Sequence, residues 1–101
     1  MNLKTANELD EILKGNKIVL VDFFATWCGP CKMMSPVIDT MEQKMSEIKF
    51  VKVNVEEFEG LATKYEVQGV PTILIFKDGK GQERSSGFVP EEVLTQKLNK
   101  Y

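Results

Sequence analysis

Residues 17–32 read KIVLVDFFATWCGPCK, an almost unbroken apolar run that leads directly into two cysteines separated by two residues. The run at 17–24 is rich in β-branched and aromatic residues, which favours a strand covered on both faces, as in a parallel sheet under helices. Because proline is favoured at the first helical position, we predict a helix that begins near Pro30 and runs to about Glu47, with Pro36 as an internal kink. The cysteine pair therefore lies at the junction of a buried strand and a helix.

The rest of the chain predicts further alternation of helix and strand, then a hairpin and a last helix. A capping box at Thr5 and Glu8 should open the first helix, and Gly15 suits its end. Asp78 and Gly79 predict the tight turn of a hairpin. We expect a right-handed parallel crossover followed by antiparallel strands, which gives a mixed sheet of about four strands with helices on both faces. The other predicted elements are a strand at Phe50–Val55, a short helix around 61–65, strands at 72–76 and 81–86, and a helix from Pro90.

Length and composition limit the possible functions. A chain of 101 residues is enough for one domain, so we expect residues 1–101 to form a single domain. The net charge of -2 and the lack of a basic patch argue against a nucleic-acid partner. The longest apolar stretch, Ile18 to Ala25, contains Asp22 and is too short to cross a bilayer, and the N-terminus has no apolar signal region. We expect a soluble cytoplasmic protein without a membrane partner, or a chain that is already mature.

Cys28 and Cys31 are the residues best placed to carry chemistry. A cysteine at a helix N-terminus lies near unpaired amides and the positive end of the helix dipole, and both favour the nucleophilic thiolate. Two intervening residues allow a disulfide to close within one turn. Such a small loop adds little entropic stabilisation, so the pair suits reversible thiol–disulfide exchange better than a structural disulfide.

Other uses of a cysteine pair fit the sequence less well. A zinc site needs about four ligands, whereas the chain has two cysteines and no histidine. We therefore expect no metal and no other cofactor, with a metal shared between two chains as the remaining option. Covalent haem attachment needs a histidine after the second cysteine, where Lys32 stands. The absence of histidine also removes Ser-His and Cys-His catalysis.

Residues 21–32, VDFFATWCGPCK, resemble the signature of the thioredoxin family. GVPT at 69–72, KDG at 77–79 and Gly87 match the same family in the same order, so the resemblance covers almost the whole chain. It implies the α/β thioredoxin fold, a central mixed β-sheet of about four to five strands with helices on both faces, and a cis peptide bond before Pro71. It also implies a protein-disulfide reductase that acts on disulfides in partner proteins and is recharged by a thioredoxin reductase.

The resemblance also implies roles for individual residues. Cys28 is expected to attack the partner disulfide, Cys31 to resolve the mixed disulfide, and Asp22 to transfer a proton. From the residues alone, Asp22 is a carboxyl group in a buried run that must be protonated, paired or functional, because an unpaired buried carboxylate is costly. Lys52 is expected near Asp22, although a solvated strand lysine fits nearly as well. The other expected site residues are Trp27, Gly29 and Pro30, which would shape the site, and Val70, Pro71 and Gly87, which would bind the substrate.

The chain departs from the family pattern at three places. Phe24 stands where a second tryptophan is usual, the usual first strand must be very short or missing, and Ser86 and Phe88 flank Gly87 where smaller or apolar neighbours are common. Two other functions stay open. One is an oxidase or isomerase of an oxidising compartment, which the Gly-Pro dipeptide and the lack of a signal segment disfavour. The other is a non-redox binding subunit of a larger complex. We expect a monomer.

Overall fold

The computed structural model describes all residues, 1–101, and every predicted helix and strand is present. The bounds agree with the prediction to within about one residue, except at two helix ends. The second helix ends at Lys44, because Met45 leaves the helical conformation and the chain turns so that Ile48 is buried. The short third helix begins at Glu59, two residues before its predicted start. In chain order the elements are α1 (Ala6–Gly15), β1 (Ile18–Phe24), α2 (Gly29–Lys44), β2 (Lys49–Asn54), α3 (Glu59–Lys64), β3 (Thr72–Lys77), β4 (Lys80–Ser86) and α4 (Glu91–Leu98).

The four strands form one mixed sheet in the order β2-β1-β3-β4, which confirms the predicted architecture. β1 pairs in parallel with β2, where Asp22 lies opposite Lys52, and antiparallel with β3. β3 and β4 form the predicted hairpin. Its turn places Asp78 and Gly79 at φ values of 52° and 81°, the left-handed region that this dipeptide tolerates.

Helices cover both faces of the sheet because the side chains of β1 alternate between two apolar clusters. Leu20 packs with residues of α2 and α4, including Met34 and Leu94. Val21 packs on the opposite face with residues of α1 and α3. Asp22 has the same parity as Leu20, so its carboxyl group lies on the α2 side of the sheet.

The N-terminal segment replaces the usual first strand with a single bridge. Asn2 pairs in parallel with Lys52, the Leu3 N–H donates to the Lys52 carbonyl at 2.9 Å, and the Lys52 N–H donates to the Met1 carbonyl at 2.8 Å. Residues 1–3 therefore form a bridge rather than a full strand.

The predicted capping box at the start of α1 does not form. The Glu8 N–H donates to the carbonyl of Thr5 at 3.3 Å, which leaves the Thr5 hydroxyl without that donor. The Glu8 carboxylate accepts instead from the Lys4 N–H at 2.9 Å, one residue earlier than the box requires.

The C-terminal end of the chain is tied to the hairpin through Glu83. The Tyr101 hydroxyl donates to the Glu83 carboxylate at 2.6 Å, and the Lys97 ammonium donates to it at 3.2 Å. These hydrogen bonds, led by that of Tyr101, lower the pKa of Glu83, and the same bond raises the pKa of Tyr101.

Candidate active site

The two cysteines lie at the first turn of α2 and form a disulfide, with their Cα atoms 5.2 Å apart. Cys28 is the N-cap residue, and its Sγ accepts a hydrogen bond from the Cys31 N–H at 3.2 Å. Gly29 is the first helical residue, and a Cβ there would meet no atom within 4 Å, so the backbone beside the disulfide is open. Pro30 follows within the same turn, where its missing N–H costs no helical hydrogen bond.

The two cysteines have similar solvent exposure but different surroundings. Cys28 and Cys31 are only 3% and 4% exposed, so solvent access does not separate them in the disulfide state. Cys28 Sγ lies 3.6 Å from the carbonyl oxygen of Val70, an acceptor for the thiol that reduction would create. Cys31 instead lines a cavity of about 340 Å³, open to solvent on one side, together with Asp22.

The structure brings Val70, Pro71 and Gly87 together beside Cys28. The peptide bond between Val70 and Pro71 is cis, as expected. Gly87 adopts a φ of 84°, which favours glycine, and its N–H donates to the Pro71 carbonyl at 2.9 Å. Val70 remains half-buried and Pro71 is buried. Contacts thus link Cys28 to Val70 and Pro71 to Gly87, and Val70 and Gly87 keep part of their surface open.

Trp27 is 69% exposed, so its side chain lies outside the core. It lines a shallow hollow of about 160 Å³ with Val70 and four other residues of the neighbouring loops. A large aromatic surface is therefore open to solvent directly beside Cys28, where it can contact a partner.

Asp22 is 1% exposed, and its Oδ1 has no hydrogen-bond partner. Burial raises the pKa of Asp22 from 3.8 to about 7, and the positive charge of Lys52 offsets part of that rise. The carboxyl group can therefore hold or release a proton near neutral pH. Cys31 lines the same cavity as Asp22.

Lys52 is near Asp22, as expected, but it does not bond to it. Its Nζ donates to Ser35 Oγ at 2.6 Å and to Asp39 Oδ1 at 2.7 Å. The Lys52 side chain is only 13% exposed, so the alternative of a solvated strand lysine is wrong. Ser35 and Asp39 were not among the expected site residues. Their spacing could have identified them, because they follow Cys31 at four-residue intervals and therefore lie on the same face of α2.

No helix of the chain combines the length and apolar character needed to cross a membrane.

Comparison with known proteins gives consistent results. The thioredoxin family model matches residues 1–100. A thioredoxin from Bacillus subtilis is 47% identical over 85 residues, which is 83% of this chain and 82% of that protein. A chloroplastic thioredoxin Y2 from Arabidopsis thaliana is 39% identical over 97 residues, or 94% of this chain and 58% of the relative. The solved structure of a mutant thioredoxin from Halobacterium salinarum superimposes with a TM-score of 0.94 at 37% identity, covering 100% of this chain and 88% of the other.

The match extends over the whole sheet, and the cysteine pair sits where a disulfide can open and close. These findings identify a dithiol–disulfide redox protein with the predicted fold. The chain belongs to the thioredoxin family of protein-disulfide oxidoreductases.

Proposed function

We propose that this protein reduces disulfides in partner proteins and is recharged by a thioredoxin reductase. The observation that carries the proposal is that the two sulfur atoms of the disulfide have different surroundings. Cys28 borders the surface formed by Trp27 and Val70, whereas Cys31 faces the cavity that contains Asp22. One sulfur is thus placed to meet a partner and the other to give its proton to Asp22.

The reaction proceeds in two exchanges. The Cys28 thiolate attacks one sulfur of the partner disulfide, so that the partner S–S bond breaks, a mixed disulfide forms, and the other partner sulfur leaves as a thiolate. Asp22 takes the proton of the Cys31 thiol. The Cys31 thiolate then attacks Cys28 Sγ, which forms the intramolecular disulfide and expels the second partner thiolate. Two electrons pass from the protein to the partner, and the partner thiolates take up protons.

Local geometry favours Cys28 as the attacking residue. The N–H of Cys31 already points at Cys28 Sγ at 3.2 Å, and the N-terminus of α2 adds positive potential. A negative charge on that sulfur is stabilised by both, which favours the thiolate as the nucleophile.

The surface beside Cys28 suits an extended peptide segment. The backbone at Val70 and Pro71 precedes β3, and a partner strand can pair there by strand addition. Exposed Trp27 and Pro30 border the same site, and Gly87 leaves space because a Cβ there would meet nothing within 4 Å.

The test couples the protein to NADPH, a thioredoxin reductase and a disulfide-containing protein such as insulin. We expect NADPH oxidation that requires both cysteines, and a reduction potential in the range of reductants rather than oxidants, which separates this function from an oxidase or isomerase. Replacing both Cys28 and Cys31 by Ser is the matched control. If the wild-type chain consumes no NADPH, or if the double variant keeps full biological function as a binding subunit would, the proposal is wrong.

We further propose a monomeric, single-domain protein of the cytoplasm. Bacterial relatives favour that compartment, although a chloroplastic relative also matches. Light scattering and one cooperative unfolding transition test the first two statements, and fractionation of the source cells tests the third. A stable dimer, two transitions, or enrichment in an organelle would contradict the corresponding statement.

A further inference from the structure

One face of α2 carries Cys31, Ser35 and Asp39 at successive four-residue intervals. The proposed exchange reaction uses only the first of them. The other two converge on the ammonium group of Lys52, which reaches across from β2 with Nζ–O distances of 2.6 and 2.7 Å. The side chain of Lys52 is largely buried, so its ammonium group depends on these two acceptors for much of its solvation.

A third acceptor is close by and is not used. Asp22 pairs with Lys52 in the parallel register of β1 and β2, and both side chains line the same cavity. Its Oδ1 nevertheless has no hydrogen-bond partner. A buried ammonium group and a buried carboxyl group on adjacent strands would ordinarily form an ion pair, because each lacks full solvation. Their separation therefore calls for a physical cause, and the two acceptors on α2 supply it.

We infer that Ser35 and Asp39 are positioning residues that anchor Lys52 on α2 and prevent it from forming an ion pair with Asp22. The inference rests on the proposed function, because its consequence is that Asp22 stays free to exchange a proton with Cys31. An ion pair with Lys52 would hold Asp22 as a carboxylate and weaken it as a base. The anchor keeps the positive charge near Asp22 without a direct bond.

Few other charged groups face Asp22. The neighbouring strand β3 contributes apolar Ile73, and the N-terminal segment contributes uncharged Asn2. α2 contributes Lys32 and the cysteine that lines the cavity, and Asp39 acts through Lys52. Removing the Asp39 carboxylate deletes a negative charge and also releases Lys52. Both changes favour the ionised form of Asp22.

The test follows the titration of the Asp22 carboxyl carbon by NMR in the oxidised full-length protein, in which the cysteines do not titrate. In a Ser35→Ala, Asp39→Asn variant we expect the midpoint to fall by about one pH unit or more, since an opposite charge at close range lowers a carboxyl pKa by about 1 to 3 units. In Lys52→Met we expect it to rise, because the favourable positive charge is lost. A general loosening of the site would not shift the Asp22 midpoint in opposite directions in the two variants.

Two control variants sharpen the result. Glu91→Gln removes a carboxylate of α4 whose Oε2 lies 3.0 Å from Nζ of Lys44, the last residue of α2. This substitution should leave the Asp22 midpoint unchanged. Ser35→Thr keeps the hydroxyl group and should retain the wild-type midpoint. If the double variant leaves the midpoint in place or raises it, the anchoring role is wrong.

A kinetic measurement connects the anchor to the reaction and separates it from the proposed function. The pH profile of the step in which Cys31 resolves a mixed disulfide should move in the double variant in the same direction as the Asp22 midpoint. A wild-type protein that reduces disulfides while the NMR midpoint is insensitive to the variants would overturn the anchor alone. A shifted midpoint in a protein that reduces no protein disulfide would support the anchor and overturn the proposed function.

Discussion

Replacing Asp22 by Asn should make the protein more stable at alkaline pH while slowing its reaction. Asn has nearly the same shape as Asp but no charge, so the substitution leaves no cavity. Asp22 is almost completely buried and its Oδ1 has no partner, so its carboxylate is poorly solvated. Removing the ionisable group therefore removes the cost of burying its charge.

The magnitude follows from the pKa of Asp22, which is 3.8 ordinarily and about 7 in the folded chain. The folded state binds the proton of Asp22 more tightly than the unfolded state does. The stabilisation of the folded state by this proton is fully present below about pH 3.8 and is lost as the pH rises through about 7. A pKa difference of one unit corresponds to about 1.4 kcal/mol. Burial of the ionised Asp22 carboxylate therefore lowers the free energy of unfolding by about 4 kcal/mol at alkaline pH. The free energies of unfolding of wild type and variant should differ by less than about 1 kcal/mol at pH 4 and by about 4 kcal/mol at pH 8.5.

Urea unfolding of the oxidised proteins at pH 4, 6 and 8.5 measures this difference without interference from thiol titration. Asp10→Asn is a suitable control, because Asp10 forms only an exposed ion pair with Lys64 at 3.5 Å. That control should change stability by less than about 1 kcal/mol at every pH. Parallel pH curves for Asp22→Asn and wild type would refute the reasoning. The variant should also resolve mixed disulfides about 100-fold more slowly near neutral pH, the usual scale of general-base catalysis.

Three further predictions concern other parts of the molecule. Cys31→Ser should trap partner proteins as stable mixed disulfides on Cys28, detected on non-reducing gels, and normal turnover by this variant would contradict a two-cysteine mechanism. Gly87→Ala should cost about 1 to 3 kcal/mol of unfolding free energy through backbone strain at its positive φ, since the added methyl group meets no atom, and an unchanged urea midpoint would show that the loop relaxes freely. Tyr101→Phe should lower stability at neutral pH, and the loss should shrink as the pH falls through the lowered pKa of Glu83, whereas a pH-independent loss would mean that the hydroxyl does not interact with the ionised carboxylate.

Local sequence patterns predicted the elements that hold the cysteines. The apolar, β-branched run at 17–24 favoured a covered strand, and Pro30 marked the start of α2 to within one residue. The end of α2 was less predictable, because no glycine or proline marks it. Met45 ends the helix so that Ile48 can enter the core, and that is decided by packing rather than by local preference.

The polar contacts of the site were harder to predict because they depend on how the elements pack. The sequence placed Lys52 near Asp22 but did not indicate that Nζ would turn towards α2. Ser35 and Asp39 precede Lys52 by 17 and 13 residues, and their bonds exist only once α2 lies across β1 and β2. Likewise, the sequence did not indicate that most of the Trp27 surface would face solvent.

The proximity of Cys28, Pro71 and Gly87 follows from strand direction rather than from any local motif. β3 runs antiparallel to β1, so its first residue, Thr72, lies opposite Phe23 at the end of β1 from which the chain enters α2. β4 in turn is antiparallel to β3, and its last residue, Ser86, returns to Thr72. The residues that precede β3 and follow β4 must therefore meet the start of α2. Had β3 been parallel to β1, residues 70 and 71 would lie at the opposite edge of the sheet and Cys28 would have no neighbouring backbone acceptor. The antiparallel hairpin is thus the part of the fold that turns a reactive cysteine pair into a site with a place for a partner chain.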